Sequence, residues 1–117
     1  MKTIIALLAL AFSVSSATAS EYECFGTEPF WGAKITDSHI SVDNFESKFS
    51  EKITSRETAA GVGDEYAFVV KTKKLSASVI TGECNDGMSD NIYSHHIILE
   101  GADSFSRPLY GCCNKVK

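Results

Sequence analysis

Residues 65–79 read Glu-Tyr-Ala-Phe-Val-Val-Lys-Thr-Lys-Lys-Leu-Ser-Ala-Ser-Val. Tyr66, Phe68 and Val70 alternate with Ala67 and Val69, and beyond Lys73-Lys74 the apolar positions resume at Leu75, Ala77 and Val79. Two is the side-chain period of a strand, and aromatic and β-branched residues suit a half-covered pleated surface. The stretch therefore predicts two strands joined by a turn at Lys73-Lys74.

The same pattern extends in both directions. Upstream, residues 30–36 mix aromatic with β-branched side chains, and 39–42 follow a turn at Asp37-Ser38. Residues 48–56 alternate weakly through Phe49, Glu51, Ile53 and Ser55, and Ala59-Ala60-Gly61-Val62-Gly63 is a flexible connection. Downstream, residues 92–100 are apolar on both faces, which predicts a strand covered twice. Gly101-Ala102-Asp103 then turns the chain into residues 105–112. No stretch carries a capped 3.6-residue apolar period. The expectation is an all-β fold, a small antiparallel barrel or sandwich of about seven or eight strands.

Residues 1–19 read as a signal peptide. Lys2 opens the chain, residues 4–12 are an unbroken apolar run, and Ala17-Thr18-Ala19 supply small side chains before a cut. The run is shorter than the roughly 20 residues a membrane span needs, so no transmembrane anchor is expected after cleavage. A lipoprotein needs its cysteine at the cut, but Glu21-Tyr22-Glu23 precede Cys24. Residues 20–117 then form one soluble β domain, periplasmic or secreted. With 15 acidic against 11 basic side chains the chain is net negative, and no basic stripe is present to neutralise phosphates. Nucleic acid is thereby disfavoured as a partner, whereas a basic protein would be steered favourably.

Cys24, Cys84, Cys112 and Cys113 are the four cysteines. In an exported chain an even count indicates a framework of two disulfides. The spacing lacks the paired C-x-x-C and His-x-x-x-His arrangements of a zinc site. Adjacent residues on a strand point to opposite faces, so a Cys112–Cys113 bridge would strain the backbone. Each of these two must tie down a distant cysteine, and the choice between Cys24 and Cys84 stays open at this point.

Two boxes carry a resemblance. Gly26-Thr27-Glu28-Pro29-Phe30-Trp31, then Cys84-Asn85-Asp86-Gly87-Met88-Ser89 followed by Gly111-Cys112, resemble a family of small exported bacterial proteins, uncharacterised and lipoprotein-like. The resemblance spans most of the mature chain and implies an envelope protein with no established activity. It also implies a Cys84–Cys112 bridge, with Cys24–Cys113 as an addition. A weaker similarity links Tyr22-Glu23-Cys24, Gly63-Asp64-Glu65-Tyr66, Lys73 and Ala77 to periplasmic inhibitors of C-type lysozyme. There Val62 stands where that family has serine, and no glycine follows Lys73.

Catalytic signals are thin, and a non-enzymatic binding module is expected, with no cofactor. Ser94-His95 are strand neighbours facing opposite sides, and no Gly-x-Ser-x-Gly elbow exists. His95-His96 cannot both chelate from one face, and His39 carries no signal. Glu83, Asn85, Asp86, Asp90 and Asn91 offer hard oxygens to calcium, which keeps a metal-binding protein or metal-supported enzyme as an alternative, but Asn85-Asp86-Gly87 reads more simply as a tight turn.

A candidate site follows from the cysteines. Bridges from Cys24 and Cys84 to adjacent Cys112 and Cys113 hold the first two within about 15 Å. That gathers Glu28 and Trp31 with Asp86, Met88, Ser89 and Asp90 at one corner, where an amphipathic tryptophan beside carboxylates would form a shelf for a ligand or an envelope protein. The competing arrangement has Trp31 plugging the barrel end, with Met88 packed beneath the turn.

Overall fold

The computed structural model describes residues 21–27, 29–44, 47–63, 66–103 and 105–116. The leader reading of residues 1–19 lies outside them, as do Glu28, Asp64 and Glu65. Eight strands run through the described residues: β1 (Tyr22–Thr27), β2 (Phe30–Ile35), β3 (His39–Asp43), β4 (Lys48–Thr58), β5 (Ala67–Thr72), β6 (Ser76–Asn85), β7 (Ile92–Glu100) and β8 (Leu109–Lys115). Each pairs antiparallel with the next, and β8 pairs with β1, closing a barrel in which every strand has two neighbours. Closure removes the free edges that an open sheet of this size would expose.

Alternation sorts the side chains. Tyr22, Ile35, Ile40, Phe68, Val70, Val79, Ile97 and Leu99 are fully or almost fully buried and fill the lumen. An eight-stranded barrel is just wide enough for side chains to pack across it, and each large apolar residue so buried contributes about 1.5–3 kcal/mol. One polar group within this packing shows how its bonds are met. Buried Thr72 donates its hydroxyl to Glu51 Oε1 (2.5 Å), which also accepts the Lys74 N–H at 3.1 Å across the β5–β6 turn.

The 65–79 hairpin is present, with β5 beginning at Ala67 and the turn at Lys73-Lys74. Three readings need correction. Tyr22–Thr27, for which the sequence pattern predicts no strand, is the strand that closes the barrel. Residues 92–100 are covered on one face only: His95, Ile97 and Leu99 point inward, while Ile92 and Ile98 are exposed. The barrel has a single interior, so a strand apolar on both sides still has one wall facing water. The last strand begins at Leu109, because Asp103 and Arg107 organise the preceding segment as a loop.

Both disulfides form, Cys24–Cys113 and Cys84–Cys112. Cys24 and Cys113 are direct register partners across β1 and β8. Cys84 is register-paired with Tyr93 on β7 yet bonded to Cys112 on β8, with Cα atoms 5.6 Å apart. A register shift between Thr81 and Cys84 makes this reach possible by bending β6. The tip of the β6–β7 hairpin thus leans outward over the wall formed by β8 and β1. Such bridges persist in oxidising compartments outside the cytoplasm.

Candidate functional site

The folded-back tip is held at three points. Besides the Cys84–Cys112 bridge, the Thr27 hydroxyl donates to the Asp86 carbonyl (3.3 Å), and the Tyr93 ring meets Phe25 edge-on at 4.7 Å. These contacts set the 85–91 turn against the end of β1, and the residues around it play different parts. Asp86 Oδ1 accepts the N–H groups of Met88 and Ser89 (2.9 and 3.1 Å) and the Ser89 hydroxyl. The Asn85 amide donates to the carbonyls of Ser89 and Asn91, and its oxygen accepts Gly87 N–H. These bonds are internal to the turn and give it its shape. Met88 is 66% exposed rather than packed beneath the turn, and Asp90 is exposed. Glu28 lies outside the described residues.

Trp31 is buried, and two glycines explain how. A Cβ on Gly26, its partner across β1 and β2, would fall 2.0 Å from the indole Nε1. A Cβ on Gly111 would fall 2.9 Å from Cζ2 and 2.0 Å from the Phe25 carbonyl oxygen. The indole thus lies against bare backbone on the lumen side, behind the wall that the tip covers. The sequence boxes containing Gly26, Trp31 and Gly111 converge because they build this packing.

On the outer side of the same wall lies an open groove of about 680 Å³ that spans β1 to β4. Two outward rows line it. One row is Glu23, Lys34, Ser41 and Ser50; the other is Phe25, Gly32, Asp43 and Lys48, each residue in register with the next. A second depression of about 380 Å³ shares Phe25, Gly32 and Asp43 and continues past exposed Phe30. Gly32 is the floor where the two meet. The folded-back tip stands over the Phe25 side and holds that ring from behind through Tyr93.

Charges along the groove sit opposite one another. Glu23 neighbours Lys34 across β1 and β2, and Lys48 Nζ lies 3.8 Å from Asp43 Oδ2. The lining is mostly apolar surface with hydroxyls from Ser41 and Ser50 between these pairs, and those hydroxyls hydrogen-bond each other at 3.1 Å. Sequence reasoning missed this groove. Its available signal was Gly32 itself, a lone glycine inside a predicted strand, a position that often marks a close approach.

Other candidate residues are dispersed. The Ser94 hydroxyl shares a 2.7 Å hydrogen bond with His95 Nδ1, although strand alternation assigns the two to opposite faces. The His95 ring is buried edge-on to Tyr22 at 5.1 Å, so this bond fixes a lumen histidine. His96 Nδ1 bonds the Tyr110 hydroxyl (2.6 Å) on the outer wall. Among the described residues no three His, Cys, Asp or Glu side chains gather as a metal site. Of the residues similar to lysozyme inhibitors, Tyr66 precedes β5 and Lys73 follows it, about 20 Å of strand apart, and Ala77 is buried. No helix among the described residues is long and apolar enough to cross a membrane.

No protein-family model matches this chain, and no curated protein or solved structure does so either.

Proposed function

We propose that this chain is an exported, non-enzymatic binding module of the bacterial envelope, periplasmic or secreted, and that it takes its ligand in the groove over Gly32. The observation that carries the reading is Gly32. A glycine inside a strand costs roughly 0.5–1 kcal/mol relative to alanine. Gly26 and Gly111 repay that cost by admitting Trp31. Gly32 does not: its φ is not among the positive ones, and an added Cβ would meet only the Cys24 carbonyl oxygen at an ordinary 3.8 Å. The fold has no need of a bare backbone there. What the missing side chain leaves is the groove floor between Phe25 and Asp43.

A filled lumen supports the same conclusion, since ligand must then be taken on the outer surface. The test is a mixture of uncharged small-molecule fragments, followed through backbone amide shifts of the oxidised protein. Binders are expected to move Phe25, Gly32, Ser41 and Asp43, and to lose that effect in Gly32→Leu, whose side chain occupies the floor. Hits that cluster on the 85–91 turn, or hits indifferent to Gly32→Leu, would place the site elsewhere.

A further inference from the structure

Resting on that reading of the groove, we propose that its ligand is a neutral saccharide, bound as a short linear oligosaccharide across β1 to β4. The first argument is charge. The chain is acidic overall, yet the groove carries two carboxylates and two ammonium groups, Glu23 with Lys34 and Asp43 with Lys48, each set opposed across neighbouring strands. Such a lining offers no net field to an ion of either sign.

The second argument is hydrogen bonding. Carboxylates only accept, ammonium groups only donate, and Ser41 and Ser50 do both. Donors and acceptors therefore alternate within one strand spacing, about 4.8 Å. A ligand surface that donates and accepts at every position matches this arrangement, and a row of hydroxyls is such a surface. An apolar partner would match the apolar part of the lining but would also strip water from these charged and hydroxyl groups without replacing it, which costs free energy for each one left unpaired.

The third argument is shape. Phe25 and Phe30 flank Gly32 and the end of β1, so aromatic rings line a bare stretch of backbone. The electron-rich face of an aromatic ring attracts the C–H edge of a saturated ring, while the absent side chain lets that ring sit close. Three strand spacings, about 14 Å, leave room for more than one sugar ring. A peptide lacks the corresponding route, because closure of the barrel leaves no strand edge to extend.

Cellotriose, maltotriose and N,N′,N″-triacetylchitotriose would each be titrated into the oxidised full domain, with acetyl-leucyl-leucine amide as the apolar comparison. At least one trisaccharide is expected to bind with a Kd near the millimolar range or tighter, moving the amides of Phe25, Gly32, Ser41 and Ser50. Gly32→Leu should weaken it by about tenfold or more with the unfolding midpoint not lowered, and Phe25→Leu by a similar factor with a lower midpoint, because that ring also packs on Tyr93. If the dileucine amide moves these amides and no trisaccharide does, the groove stands and the saccharide is wrong. If none of the four moves them, the groove itself falls as the site.

Discussion

Glycines 26, 32 and 111 are chemically identical and lie on adjoining strands, but they answer to different neighbours. A methyl group at Gly111 would fall 2.0 Å from the Phe25 carbonyl oxygen, a backbone atom with no freedom to swing away. Gly111→Ala is accordingly expected to destabilise the domain by about 1–3 kcal/mol, read as a lower urea midpoint. Gly32→Ala should leave the midpoint unchanged or raise it, by up to about 1 kcal/mol, since only strand propensity is altered. Equal midpoints for Gly111→Ala and the parent protein would overturn the packing account of the Trp31 cradle. Trp31 shows why such assignments escape a linear reading. Its aromatic, proline-led box stands out in the sequence, yet whether the indole faces lumen or solvent depends on two glycines, one of them eighty residues away.

At the scale of an element, the loop between β7 and β8 carries the clearest electrostatic signature. Asp103 accepts Arg107 Nε (2.8 Å) and Nη2 (3.1 Å), together with the backbone N–H groups of Phe105 and Arg107. The Arg107 side chain holds the Asp103 carboxyl down from 3.8 to about 2, against the opposing pull of desolvation. A depressed carboxyl stabilises the fold above its unfolded-state value, and that contribution disappears as pH falls toward about 2. Asp103→Asn should thus be less stable than the parent at neutral pH, with the gap narrowing between pH 4 and 2, in thermal melts across that range. A gap independent of pH would remove the ion pair as its source. The turn at Asp37-Ser38 and the 65–79 hairpin were legible because turn chemistry and alternation are local. The extra length of β6 was not, since the bend that carries Cys84 toward Cys112 follows from a register shift between strands.

For the whole molecule, two covalent ties close loops of 89 and 28 residues. In the chain-entropy model they contribute about 4.5 and 3.5 kcal/mol, against a typical total of about 5–15. Replacing Cys24 and Cys113 together by serine should lower stability more than replacing Cys84 and Cys112. The second pair of substitutions should also release the hairpin tip, seen as faster amide exchange from residue 83 to 93 and loss of the Phe25–Tyr93 contact. A tip that stays protected without its bridge would mean that Thr27 and Tyr93 hold it alone. The all-β class, the inward apolar set of the 65–79 hairpin and the pairing of distant cysteines with the adjacent pair Cys112 and Cys113 were determined by the sequence itself, because period-two alternation and the reach of a disulfide are properties of short stretches of chain. Tertiary structure alone decided that β1 and β8 meet to make a barrel and not a sandwich, that Trp31 turns inward, and that the wall beside it opens into a groove over Gly32. Those outcomes depend on register summed around eight strands, where each side chain's surroundings come from residues far away in the chain.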